Sequence, residues 1–346
     1  MTLYVLYGIL LISVGAFMSG SFAIPFDKIR GWKWENYWLV YSLFGYIVVP
    51  LLVCLIFVPN LWQLLQSIPS DRFLWVFFLG AIYGAANITF GLSLRYLGIS
   101  LGFALSLGLM MAIGTLVPPL LDGRLIPLFE GNAGIVLIAG IVISLIGISI
   151  SGYSGLLKSK EIEGGEGVNK EFDLKKGIAA ALFVGVTGSA AALGIEQGNP
   201  IAAESVAKGT DPLFQDSVVF LVLYGGSFVT TLIWCVYLSI RNKNIRSFVK
   251  PSKENKLLHN YTMCALAGFL WYVNYVFFGM GKSQMGDTSF VAWGILMTLT
   301  IVFATIWGIS RGEWKGVSLK VKTLMWVGLI VLVAASFLIG ISSSIE

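Results

Sequence analysis

The stretch FLWVFFLGAIYGAANITFGLSLRYLGISLGFALSLGLMMAIGTLVPPLL, residues 73–121, carries a single charge, Arg95. It divides into two apolar runs, 73–94 and 97–121, joined by a tight turn around that arginine. Each run is long enough to read as a helix crossing a bilayer. Similar runs recur at 3–24, 38–58, 133–153, 175–197, 213–240, 259–280, 287–309 and 321–342. Ten such spans with short connections predict an all-α integral membrane protein. The composition agrees, since 57% of the 346 residues are hydrophobic and 12% are charged, whereas soluble domains carry about 25% charged residues. No basic segment precedes the first run at Leu3, so it reads as a span and not as a cleaved leader.

The same arithmetic removes several function classes. The net charge is +5, but the basic residues are scattered among hydrophobic spans, which argues against nucleic acid. Cys54, Cys235 and Cys264 all fall inside apolar runs without paired spacing, and there is one histidine. Buried small side chains are the simplest reading of those thiols, and no metal site is expected. Gly164-Gly165-Glu166-Gly167 reads as a solvated loop, because no strand precedes it and no Gly-Lys-Ser/Thr follows. No hydrolase, metalloprotease or metal-diphosphate signature occurs either, so the chain reads as neither an enzyme nor an ATP-driven pump, and no cofactor is expected.

Lysine and arginine set the orientation. Nineteen of the 23 fall in the linkers between spans 1–2, 3–4, 5–6, 7–8 and 9–10. The other set holds Arg72, Arg124, Lys208 and Lys282, while the acidic residues divide evenly. The basic side is therefore expected to be cytoplasmic and both termini to point outward; the resemblance given below implies that this is the periplasmic side of a bacterial inner membrane. Trp32, Trp34, Trp38, Trp62, Trp75 and Trp314 lie near span boundaries, where indole at the headgroup level explains most of them.

Residues 1–155 and 175–346 form two five-span halves around a polar linker at 156–174. An odd number of spans per half makes the second inverted relative to the first. Gly20-Ser21 matches Gly188-Ser189, and Gly80, Gly91 and Gly98 match Gly268, Gly279 and Gly286 at one constant offset. Inverted repeats belong mostly to transporters, with the substrate near the midplane between them. Gly80-x-x-x-Gly84 and Gly98-x-x-x-Gly102 read first as close helix packing. Pro118-Pro119 must disturb the end of its span, and carbonyls freed there face either ligand or water.

Polar side chains inside the spans are the candidate site. Asn87 shares a helical face with Tyr83 and Gly91, and Asn274 lies beside Trp271, Tyr275 and Phe278. Singly, each is explained by interhelical hydrogen bonding or core packing. Together they suit a sugar, whose C–H face stacks on rings while its hydroxyls meet amides. Trp293 and Thr115 join that pocket if the hairpins pack as the repeat implies. No carboxylate sits in mid-span. Glu196, Asp287 and Asp122 lie at outward helix ends, where a solvated charge is the plainer reading, although desolvation of Glu196 or Asp287 would suit a proton carrier. Arg95 reads as a snorkelling side chain, and His259 as an interface hydrogen-bonder.

With these residues in hand, the chain resembles the L-rhamnose–proton symporters, a branch of the drug/metabolite transporter superfamily with ten spans in two inverted halves. The similarity lies in Pro25-Phe26, Trp34-Glu35, Asn87-Ile88, Gly91-Leu92, Arg95-Tyr96-Leu97-Gly98 and Gly114-Thr115-Leu116. It continues through Asp211-Pro212-Leu213, His259-Asn260, Trp271-Tyr272, Trp293 and Glu313-Trp314. The resemblance implies import of a 6-deoxyhexose with protons as the coupling ion, sodium being the other option. Asn87, Trp271 and Trp293 match family positions. Asn274 stands in place of a glutamine, Glu196 in place of an amide, and Asp287 is displaced along the chain from the family's acidic residue.

The expected function is secondary active import of L-rhamnose or a related deoxyhexose by alternating access. Its partners would be the sugar and the lipid bilayer, with the oligomeric state open. An ion-independent exporter or exchanger of the same superfamily is the nearest rival. A membrane sugar sensor or a lipid-linked sugar transferase is the alternative from another class. Spans 5 and 10, rich in glycine, can pair either between subunits or within one chain.

Overall fold

A computed structural model describes residues 3–97, 99–121, 123, 131–162, 174–251 and 256–342, and among these every regular element is helical. Nine helical segments there are long and apolar enough to cross a membrane. The chain is thus a multi-pass, all-α membrane protein. Leu10, Phe17, Leu55, Phe78, Val142, Phe183, Ile233 and Phe269 lie exposed on the outside of the bundle, as expected of side chains that face lipid.

Helix α1 (Leu3–Ser21) carries no charge and ends before a short 3₁₀ turn, Ile24–Lys28, begun by Pro25. The second span starts at Trp34, four residues earlier than the apolar run suggests. Its first turn is held by the Asn36 side chain, which accepts from the Lys33 amide at 3.2 Å. Helix α2 (Trp34–Leu43) passes through a π turn, Phe44–Val48, into α3 (Val49–Phe57). Pro50 has no amide to offer the preceding turn, and a widened turn accommodates the missing bond. A short α4 (Leu61–Ser67) leads to α5 (Ser70–Leu97), α6 (Ile99–Leu121) and α7 (Gly131–Ile162).

The sixth span extends beyond 197. It runs as α8 (Leu174–Gly188), α9 (Ala190–Gln197) and α10 (Asn199–Ala207), interrupted at Ser189 and Gly198 and restarted by Pro200. Helices α11 (Ser217–Arg241), α12 (Leu257–Ser283), α13 (Ala292–Ser310) and α14 (Leu319–Ser342) complete the bundle. Cys54, Cys235 and Cys264 are buried and unpaired.

Glycines set the closest seams. A Cβ on Gly80 of α5 would lie 1.7 Å from the Leu223 carbonyl of α11, and one on Gly226 would lie 1.9 Å from the Phe77 carbonyl. The Ser227 and Thr230 hydroxyls cross this seam to the Gly80 and Ala81 carbonyls at 2.8 and 2.9 Å. Gly80-x-x-x-Gly84 is therefore a packing motif, as its plainer reading had it. Gly45 and Gly268 bring the π turn against α12, while Gly8 and Gly281 bring α1 against the same helix. Helices α7 and α14 pair within one chain, through Gly140 on Ile339, Gly147 on Leu332 and Gly328 on Ser151. Gly98, Asp122 and the loop Gly164–Gly167 lie outside the described residues, as do the side chains of Arg95 and Asp287 and the surroundings of Gly91 and Gly102.

Candidate functional site

Five buried rings meet where α2, the π turn, α5, α11 and α12 converge. Trp271 packs against Tyr46 (4.6 Å between ring centroids), Tyr224 (4.9 Å) and Tyr275 (4.8 Å), with Tyr41 at its other edge. Tyr224 and Tyr275 stand 4.7 Å apart. Two of the expected site residues join this cage through polar atoms. Asn87 Nδ2 donates to the Tyr46 hydroxyl at 3.2 Å, and the Tyr83 and Tyr275 hydroxyls lie 3.4 Å apart. The hydroxyl of Tyr224 is buried without a partner. The rings touch one another, so the cage is closed.

Trp293 belongs to a second layer. Its ring meets Phe278 at 6.3 Å, Phe278 meets Tyr275 at the same distance, and its Nε1 donates to the Met110 carbonyl at 3.4 Å. Thr115 is buried at the α6–α13 crossing, beside Gly294, with its hydroxyl unpartnered. Asn274 donates to the Trp271 carbonyl of its own helix and leaves Oδ1 buried and free of partners. Trp271, Tyr275, Tyr83 and Asn87 are thus gathered together, Trp293 is linked through one ring, and Thr115 and Asn274 stand at the edge.

Beyond Trp293, towards the end of the bundle that carries the basic-poor linkers, lies a buried charge cluster. Lys282, 3% exposed, approaches Asp216 (1% exposed) at 3.3 Å and Glu196 (9% exposed) at 3.9 Å. Its ammonium also donates to Asn199 Oδ1 at 2.7 Å, and Asn199 Nδ2 donates to Glu196 Oε2 at 2.9 Å. Glu196 is therefore no solvated boundary charge. The broken sixth span turns it inward against a lysine that the orientation count placed with the basic-poor linkers. A cavity of about 10 Å³, room for about one water, joins Glu196 to Trp293, Phe278, Phe290 and Gly114.

At the opposite, basic end a cavity of about 240 Å³ opens between α6, α7, α13 and α14. Its polar lining includes Ser151, Ser154, Lys158, Thr305, Glu313 and Trp314. Lys158 pairs with Glu313 at 3.2 Å and lies 4.9 Å above the Trp314 ring. Nearby, the Ser318 hydroxyl and amide both donate to Glu161 at 2.6 Å and hold its carboxyl below the usual carboxylate range. His259 bonds the Lys28 carbonyl at 2.9 Å, in keeping with an interface role. Trp62 and Trp75 are exposed, as boundary indoles should be, whereas Trp32 is buried and donates to the Ser247 carbonyl at 3.0 Å.

Closed aromatic layers next to a buried ion cluster suit a polar solute and a charge handled together. Comparison with known proteins names the setting. The family model described as L-rhamnose-proton symport protein matches residues 1–344. The chain belongs to that family. A protein from Mannheimia succiniciproducens named L-rhamnose-proton symporter is 30% identical over 341 residues, covering 97% of this chain and 98% of its own. One of the same name from Shigella dysenteriae serotype 1 is 29% identical over 95% of both chains, and one from Escherichia coli O45:K1 is 28% identical.

Membership in the L-rhamnose-proton symport protein family makes the chain a transporter and not an enzyme, and its helical spans place it in a bacterial inner membrane. Sequence reasoning missed Tyr41, Tyr46, Tyr224, Asp216, Asn199 and Lys282. Phe220 and Tyr224 lie four residues apart on one face of α11, a signal that could have drawn them in. Lys282, Asp216 and Glu196 all sit at helix ends on the side of the basic-poor linkers, and that shared depth was the only hint that they meet.

Proposed function

We propose that this protein imports L-rhamnose, or a closely related deoxyhexose, together with protons across the inner membrane by alternating access. It does so as a member of the drug/metabolite transporter superfamily. Ten spans form two inverted halves, residues 1–155 and 175–346, joined by a cytoplasmic linker at 156–174, with both termini periplasmic. Helix α6, the fourth in order, is the span that completes the ten. Its 23 residues reach about 35 Å at 1.5 Å per residue, enough for a core of about 30 Å.

The packing supports the repeat. Helix α1 packs on α12 and α13 as α8 packs on α5 and α6, and α5 meets α11 as α2 meets α12. Two of the glycine pairs matched in sequence occupy equivalent contacts. Gly80 lies at the α5–α11 seam and Gly268 at the α2–α12 seam, while Gly20 faces α13 and Gly188 faces α6.

The observation that carries the substrate reading is the cage around Trp271, with Asn87 and Tyr83 placed at its rim. In the loaded carrier Trp271, Tyr275 and Trp293 stack on the sugar, and Tyr83, Asn87, Thr115 and Asn274 hold its hydroxyls. Glu196 or Asp287 receives the proton at the periplasmic side. The proton moves down a potential worth about 2.3 kcal/mol per 100 mV, and no prosthetic group takes part. The cavity beside Lys158 and Glu313 is the cytoplasmic vestibule. Proteoliposomes with an acid exterior should accumulate labelled L-rhamnose, and vesicles without a gradient should only equilibrate. Accumulation that ignores the gradient, with counterflow intact, would replace this reading with an exchanger.

A further inference from the structure

We infer that the coupling proton resides on Asp216, with Lys282 as its built-in counter-ion and Glu196 as the carboxylate through which it enters. This deepens the symport reading above and rests on it. Charge counting comes first. Asp216, Glu196 and Lys282 are all at least nine-tenths buried. Two carboxylates and one ammonium leave a net charge of −1, and one proton brings the closed cluster to neutrality. Burial strongly disfavours an uncompensated charge.

The geometry then says which carboxylate holds the proton. Glu196 is the more exposed of the two, borders the small cavity and accepts an N–H from Asn199. Asp216 is the deeper. Its Oδ1 takes the Lys282 ammonium, while Oδ2 is buried with no donor at all. A carboxylate oxygen in that position is costly as an anion and far less so as a neutral acid. Asp216 also stands at the N-cap of α11, where an aspartate ordinarily accepts from free amides, yet its side chain caps none of them. It is turned to the lysine instead.

The surroundings contain little else that titrates. Lys282 comes from α12 and Glu196 from α9, while α3 supplies Cys54, whose thiol donates to the Ser217 carbonyl at 3.3 Å. Asp211 is exposed and occupied in capping its own 3₁₀ turn. Towards the cage, the packed groups are Gly279, against the Asp216 Cβ, and Phe220, one turn along α11 and 5.7 Å from Tyr275. Asp216 therefore shares a helix with Tyr224 of the cage, so that closure of the cage and neutralisation of the cluster occur on one rigid element. The proton arrives from periplasmic water by way of Glu196 and leaves to cytoplasmic water when the cluster opens.

The test uses the full chain in detergent and in proteoliposomes. Wild-type protein in weakly buffered solution should take up one proton for each L-rhamnose bound. At a gradient of one pH unit, one-to-one symport accumulates the sugar about tenfold. Asp216→Asn should bind sugar without proton uptake and lose that accumulation. Asp216→Glu keeps the charge and should retain accumulation with a shifted pH profile. Proton uptake that persists in Asp216→Asn, or a pH profile unmoved in Asp216→Glu, would overturn the assignment to Asp216. Wild-type protein that binds sugar without any proton would instead overturn the symport reading itself.

Discussion

Two buried carboxylates at opposite ends of the bundle are handled in opposite ways. Glu35, at the start of α2, is 4% exposed and accepts from the side-chain amides of Asn242, at 2.7 Å, and Asn244. Asn244 is itself engaged by Asn36. Neutral amides surround an anion whose charge is spread over fixed N–H dipoles, and the loop after α11 is thereby fastened to the second span. Asp216 is buried at least as deeply but faces a lysine on one oxygen and nothing on the other. Charge-assisted hydrogen bonds from neutral donors hold a carboxylate in one state. A cation shared between two carboxylates leaves room for a proton to come and go. The first arrangement is a fastener, the second a switch.

The sharpest way to break this comparison is Lys282→Met, which strands two buried carboxylates. Removing one partner of a buried pair costs about 3–5 kcal/mol, so thermal unfolding in detergent should show a large loss. The loss should shrink as pH falls, because the folded variant then binds protons that the unfolded chain does not need. Adding Asp216→Asn should restore much of it. A loss independent of pH would mean that Lys282 matters for packing alone.

Glu35→Gln should cost less. It weakens bonds to an ionised acceptor, worth about 1.5–3 kcal/mol each, and turns an amide towards amides. Stability should fall while the number of protons taken up per sugar stays as in the wild type. A changed proton count would erase the distinction between the two ends. Smallest of all, Tyr83→Phe removes one long hydroxyl contact, worth about 0.5–1.5 kcal/mol. Its effect should appear in sugar affinity measured by binding, with unfolding temperature almost unmoved.

Much of this architecture was legible in the chain itself. Apolar run length located the spans because a bilayer imposes a minimum length, and glycine spacing marked α5 as a close-packing helix because backbone approach requires a missing side chain, though it did not name α11 as the partner. Trp271 and Tyr275 could be grouped with confidence since they share a turn of one helix. Tyr46 and Tyr224 could not, because a tyrosine in an apolar run has the same appearance whether it lines a cage or fills a gap. The ion cluster was hidden for a different reason. Lys282 sits near the end of α12, and periodicity along one helix says nothing about the three segments, α9, α10 and the start of α11, that fold over it. The break at Ser189 and Gly198, which carries Glu196 inward, has no counterpart in hydropathy.

The π turn at Phe44–Val48 has a consequence at the level of the reading frame. In an unbroken α-helix, residues five apart point about 140° away from each other. Here the widened turn lets Tyr41 and Tyr46 approach to 6.0 Å and both touch Trp271. Removing a single codon from this stretch would regularise the helix and rotate everything on one side of it by about 100° relative to the other. Half of the cage wall would then face away from the centre. One extra amino acid, of no chemical distinction in itself, keeps the two tyrosines in phase.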